Sequence, residues 1–309
     1  MPDRFTGAAD HRSLDGVKIR LGVGLGAETS PAELPRIVDR LEETGIDSVW
    51  LSEHVYSDAV DPFIGMAHAL SRTRRLKAGT SVAVLPGRHP VLVAKQLGSL
   101  AALAPKRVLP VFGLRPARRA ERDLFEVPDG RRADVFDESL RLLRAVLTRE
   151  TTDFVGEFFK IDKASAGPLP AAPLDIWLGG SAPSALKRIG RLADGWLGSF
   201  LPAEDARRAR LAIDAAAAEA GREIEPDHYG ISLLLADGGI TPDLGGLARS
   251  RRPGVAPTEL IADSWPSLHR LLDGYLAAGL TKFVIYHRGP QPVDEFIDRF
   301  AAELLPLQN

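Results

Sequence analysis

The chain contains no cysteine. That absence excludes disulfide staples, thiolate zinc sites, iron–sulfur clusters and cysteine nucleophiles together. It also lacks any uninterrupted apolar run of about 18 residues, so no membrane-crossing helix is expected. The opening residues, MPDRFTGAADHRSLDG, are polar and hold no apolar core of the kind a secretory leader needs, so a cytoplasmic location is expected. A surplus of either charge is missing too: 39 Lys and Arg stand against 41 Asp and Glu, a net charge of −2. With no net field to draw in a polyanion, neither nucleic acid nor membrane is an expected partner. Only eight of the basic residues are Lys, and Ala is abundant, a skew that makes any single Arg a weak signal.

Hydrophobic residues make up 45% and charged residues 26%, which suits a soluble globular chain with a large core. A length of 309 residues fits two average domains or one α/β barrel with insertions. The pattern decides for the barrel. Short β-rich runs at 17–25, 47–53, 76–84, 107–114, 175–178, 195–200, 229–236 and 282–286 alternate with helical segments, and eight parallel strands close a (β/α)8 TIM barrel. Runs such as VWLS and FVIY are continuously apolar, as expected when helices cover one face and barrel layers fill the other. Ser30-Pro31-Ala32-Glu33 reads as a capping box opening a helix that ends at Gly45. Pro90 opens another, with Val93, Leu97 and Leu100 at helical spacing, and Gly221 and Gly279 sit where helices stop. Further helices are expected over 134–147, 182–193, 203–220 and 292–305. The expected organisation is a flexible tail over 1–16 and a single domain over 17–309, with loop insertions at 115–132 after strand four, 151–173 before strand five and 237–257 after strand seven. The first and third should shape a substrate pocket, because chain leaving a strand's C-terminal end lies on the catalytic face.

Functional groups in such barrels stand where a β-run stops. Strand two ends in Ser52-Glu53-His54. A histidine there titrates near neutral pH and can exchange a proton with a reacting carbonyl or redox ring, and an adjacent carboxylate can select its protonation state; a strand-end histidine can also merely tie down a loop. Strand three carries Thr80 and Ser81 in a small, polar stretch that admits a flat ligand or simply suits the barrel's taper. Strand five ends in Gly179-Gly180-Ser181 directly before a helix. Glycines at a strand-to-helix turn bare backbone N–H groups at a helix's positive end, an arrangement that holds phosphate but also occurs in ordinary turns. No H-x-H, H-E-x-x-H, G-x-S-x-G or Walker motif occurs, so no metal site, serine triad or P-loop is expected. His287-Arg288, ending strand eight, reads equally well as an anion contact or a solvated face, and Trp196 reads as barrel packing.

Three blocks, EETGIDSVWLSEHVY, RTRRLKAGTSVAVLPGRHPVLVAKQLGSLAAL and PLDIWLGGSAPSALKRIGRLADGWLGS, stand in this order. Together they resemble the luciferase-like monooxygenase superfamily, and in particular its oxidoreductases that use the deazaflavin coenzyme F420. The resemblance covers most of the chain. It implies a barrel with the cofactor across its C-terminal mouth, Glu53 and His54 facing the ring and the substrate, Thr80, Ser81 and Val82 lining the ring beside a non-proline cis peptide, and Gly179, Gly180 and Ser181 holding the phosphate. It also implies a small-molecule substrate and a homodimer. Two departures stand out. Ala104-Pro105-Lys106-Arg107 replaces the family's Ser-Gly-Gly-Arg, and strand four lacks the acid some relatives use as a proton donor, so sugar-phosphate dehydrogenation through that acid is not expected. The rival readings are an FMN-dependent monooxygenase using oxygen, a barrel that binds F420 or flavin without turning it over, and a cofactor-free isomerase or hydrolase.

Overall fold

A computed structural model describes residues 18–309. The tail expected over 1–16 lies outside the described residues. Thirteen strands occur among those described: β1 Arg20–Leu25, β2 Ser48–Leu51, β3 Lys77–Thr80, β4 Ala83–Val84, β5 Val108–Leu109, β6 Val111–Gly113, β7 Thr152–Val155, β8 Lys160–Ala164, β9 Trp177–Gly179, β10 Gly195–Ser199, β11 Tyr229–Leu235, β12 Ile261–Ala262 and β13 Lys282–His287. β3 and β4 are two halves of one strand, broken at Ser81–Val82, and β5 and β6 are halves of the next, broken at Pro110. Because β3 pairs with β5 and β4 with β6, the parallel ladder running through β9, β10, β11, β13, β1 and β2 returns on itself. All eight expected strands are present and the expected (β/α)8 barrel forms.

Helices α1 Leu34–Thr44, α2 Pro62–Arg72, α3 Pro90–Leu103, α4 Arg132–Thr148, α5 Pro183–Leu192, α6 Ala203–Glu219, α7 Pro242–Arg251, α8 Trp265–Ala277 and α9 Val293–Leu304 surround the strands. The expected capping box does not open α1. Ser30 closes a turn instead, its carbonyl accepting from Glu33 N–H, and the helix starts at Leu34. Pro35 explains this: proline suits the first turn of a helix, whereas in a helix begun at Pro31 its ring would meet the carbonyl four residues back. The C-terminal glycines behave as expected, with Gly45, Gly221 and Gly279 at φ of 80°, 65° and 85°. The three insertions hold structure that composition did not disclose: a 3-10 turn over Arg119–Leu124, the antiparallel hairpin β7–β8, and α7.

Strand residues alternate between two cores. Leu21, Val23, Leu25, Val49 and Leu51 pack outward under the helices, while Trp50, Val111, Trp177, Leu197, Val284 and Tyr286 fill the barrel. Strand β1 gives its inward positions to Gly22 and Gly24 because the rings opposite need the room. A Cβ on Gly22 would stand 2.6 Å from the Trp50 indole nitrogen, and one on Gly24 would overlap the Tyr286 ring.

Candidate active site at the C-terminal mouth

The turn after β2 sends Glu53 and His54 in different directions. Glu53, its side chain only 3% exposed, accepts from Arg88 through both oxygens at 2.6 and 3.0 Å and from the Val84 N–H at 2.8 Å. Those bonds occupy its lone pairs and join the end of β2 to β4 and the loop behind it. In this structure Glu53 thus has a tethering role beside the one expected of it. His54 keeps no such tie: its Nδ1 is buried with no hydrogen-bond partner among the described residues. Burial pushes the imidazole pKa below its ordinary value, the nearby Arg118 adds to the effect, and Glu121 opposes it. A neutral ring with an unused nitrogen is suited to accept a proton.

Strand three divides its expected residues in the same way. Thr80 is fully buried on the outward side with Ala78, and its hydroxyl donates to Val111 O at 2.7 Å and accepts from Val111 N–H at 2.8 Å. It replaces ladder bonds where the two broken strands meet, which places the Thr80 hydroxyl in the sheet. Ser81 and Val82 flank the cis bond between them and are half-buried at the mouth. Val82 leans across two neighbouring strands that make space for it. A Cβ on Gly113 would lie 2.8 Å from one Val82 methyl, and a Cβ on Gly179 would lie 3.2 Å from the other.

The turn after β9 is open. Gly179 is half-buried, Gly180 and Ser181 are exposed, and α5 begins at Pro183 with no side chain capping it. Gly180 sits at φ 117°, a conformation glycine adopts without strain. Its carbonyl points inward and accepts from the Trp196 indole N–H at 2.8 Å. In a trans peptide the next N–H points the opposite way, so the amide of the exposed Ser181 is turned away from Trp196. Trp196, fully buried in the layer between strands and helices, thus has a packing role and also orients this turn.

Sequence reasoning missed Arg88 and Tyr286. Arg88 was one arginine among many, and only the fold brings it to Glu53 and stacks its guanidinium 4.9 Å from the Phe125 ring. Tyr286 lay inside an apolar run. Its hydroxyl meets Ser52 Oγ at 2.9 Å and reaches toward Ser81 O at 3.4 Å, forming a polar floor beneath the mouth, and burial raises its pKa. His287 is structural: Nε2 donates to Gln291 O at 2.7 Å and the ring stacks on Phe296. Arg288 is no solvated face, since its side chain is 24% exposed and is paired with Glu28 from the loop after β1.

With this geometry in view, comparison with known proteins is specific. The sequence profile described as luciferase-like monooxygenase matches residues 17–236. An F420-dependent glucose-6-phosphate dehydrogenase of Nakamurella multipartita is 34% identical over 196 residues, which is 58% of this chain and 56% of that protein. The chain thus aligns with little more than half of that relative's length. The protein of the same name from Kineococcus radiotolerans is 25% identical over 94% of this chain and 98% of its own. Among solved structures, an F420-dependent secondary alcohol dehydrogenase in complex with an F420-acetone adduct superposes with a TM-score of 0.81 at 18% identity, covering 94% of this chain and all of that one. That likeness bears on the fold.

Proposed function

The chain belongs to the luciferase-like monooxygenase family, and on that premise we propose that it is an F420-dependent oxidoreductase moving a hydride between the deazaflavin and a small organic substrate. Relatives bearing an F420-dependent dehydrogenase name support the cofactor. One observation supports the site: half-buried His54, its Nδ1 without a partner among the described residues, follows the C-terminal end of β2 on the same side of the barrel as the turn after β9, where α5 starts uncapped. The residues fit such a group. Gly180, Ser181 and the first turn of α5 would hold the phosphate by backbone N–H groups and the helix dipole. Ser81 and Val82 would support the ring, with Gly113 and Gly179 leaving the space Val82 needs.

When bound, the deazaflavin supplies a ring carbon that gives or takes a hydride with little oxygen chemistry. The chain's own share is positioning and one proton. β6 runs into Gly113-Leu114-Arg115 with no carboxylate, Glu53 is held by Arg88, and buried Glu121 accepts from the Tyr56 N–H beside Arg118, so the proton falls to His54. Neutral His54 takes it from a substrate hydroxyl in dehydrogenation and returns it in reduction.

Fluorescence titration of the purified chain with F420 and with FMN tests the reading. F420 binding tighter than FMN, with hydride transfer to or from an alcohol or ketone in a panel, is the expected result. Preference for FMN with oxygen consumption would make it a flavin monooxygenase. Binding without turnover would make it a binding barrel, and binding of neither would leave a cofactor-free enzyme. The same reading includes a homodimer, supported by Ile64 and Leu92 standing exposed on α2 and α3. Sedimentation velocity should then read about twice 33.3 kDa. A cytoplasmic location belongs to it as well; no described helix is long and apolar enough to cross a membrane.

A further inference from the structure

The barrel has a second cavity, at its other end. It encloses about 320 Å³, and Arg20, Ser48, Lys77, Val108, Trp177 and Lys282, which open six of the strands, line it. His54 and the Gly179–Ser181 turn follow strand C-termini, so this N-terminal mouth is separated from them by the filled barrel interior. Its size is at the lower end of small-molecule sites.

The lining has two characters. Trp50 and Trp177 contribute apolar ring surface. Around them stand five cationic side chains, Lys18, Arg20, Lys77, Lys106 and Lys282, against three carboxylates. Each carboxylate already has a partner: Asp47 holds Lys77 at 2.7 Å, Asp227 holds Lys282 at 3.1 Å, and Asp175 faces His228 at 3.8 Å. Lys106 makes no ion pair within 4 Å among the described residues, and Lys18 lies near Asp227, whose carboxylate already holds Lys282. Lys106 is unusual in its backbone as well. It sits at φ 63°, in the left-handed region that glycine favours and a side chain adopts only under strain. An exposed lysine held in a strained conformation at the rim of a cavity is the kind of outlier from which function is inferred.

We propose that the N-terminal mouth binds a small aromatic anion, one ring bearing a carboxylate or a phosphate, with the ring against the tryptophans and the anionic head on Lys106 and Lys18. Nothing in this depends on the redox reading of the opposite mouth.

The test is calorimetric titration of the full chain with benzoate, phenyl phosphate and neutral phenol, repeated with F420 present so that the other mouth is occupied. Lys106→Gly is the informative variant, because glycine takes the left-handed backbone without strain and the fold should be kept, as an unlowered melting temperature would show. We expect one of the two anions to bind below about 1 mM, phenol to bind at least about tenfold more weakly, and Lys106→Gly to weaken the anion by about tenfold while leaving phenol unchanged. Affinity for the anion should fall as salt is raised. The tighter of the two anions identifies the head group. No binding of either anion up to about 10 mM, or equal affinity in Lys106→Gly, overturns the proposal.

Discussion

At the scale of single residues, the site separates groups that move protons from groups that hold the frame. Because burial lowers the His54 pKa, the imidazole is neutral above its ordinary value of 6.5 and remains so somewhat below it. In the dehydrogenating direction kcat/KM should therefore hold level as pH falls through 6.5 and decline only further into acid. Arg118→Ala removes a like charge and should move that decline upward; a decline that stays in place would detach Arg118 from the site. His54→Ala should lose about 10²–10⁴-fold in turnover with F420 affinity nearly unchanged, and unchanged turnover would remove the assignment. Arg88→Met tests the frame. It strands a carboxylate that is only 3% exposed, at a cost of about 3 kcal/mol, and adding Glu53→Gln should restore part of the loss in a denaturant melt. If the double variant is no more stable than the single, the pair is not coupled. The place of His54 just after a strand was legible in the sequence because the apolar run of β2 stops there. The tethering of Glu53 and Thr80 was not, because their partners, Arg88 and Val111, lie 35 and 31 residues away in sequence.

At the scale of elements, the short strand-to-helix turn after β9 is the anion site we propose, and Gly180, at φ 117°, is its pivot. Alanine there would strain the backbone and bring its methyl 3.1 Å from Ala185, swinging the Ser181 amide out of its present direction. Gly180→Ala should weaken F420 by about tenfold or more while His54-dependent proton transfer in the saturated enzyme is little changed, a KM effect without a matching kcat effect. Equal loss in both would place the turn in the reaction itself. The β7–β8 hairpin shows another dependence on distant partners. Its strands bury little, with Val155 82% exposed, and the hairpin tip is held by buried Glu138 of α4, which accepts from the N–H groups of Glu157, Phe158 and Phe159 at 2.7 to 2.8 Å. Glu138→Ala leaves three amides unpaired and should cost about 2–4 kcal/mol, with hydrogen exchange accelerated first at 157–159. Exchange that rises uniformly instead would argue against a local clasp. Helices with strong periodicity and strands with apolar runs were readable from sequence. The hairpin was not, because a carboxylate in the preceding helix organises it and its own pattern does so only weakly. α1 starts later than the Ser30–Glu33 pattern implies because Pro35, five residues after Ser30, suits only the first turn of a helix.

At the scale of the whole molecule, closure of the ring makes the two mouths independent sites on one rigid body. The layer of Trp50, Val111, Leu197, Val284 and Tyr286 fills the barrel between them, and the residues lining the N-terminal cavity include none of His54, Ser81, Val82, Gly179, Gly180 and Ser181. A ligand at either mouth then stabilises the fold by mass action alone, about 2.7 kcal/mol at a concentration one hundred times its Kd. For a chain of this length that corresponds to roughly 5 °C in melting temperature. The two increments should add, since sites without shared partners contribute separately. In a thermal melt, F420 should raise the midpoint by the same amount in the natural chain and in Lys106→Gly, and by much less in Gly180→Ala. The aromatic anion should show the reverse dependence. A variant at one mouth that erased the shift caused by a ligand at the other would mean the interior layer rearranges between two packings, and the barrel would have to be described as a coupled device.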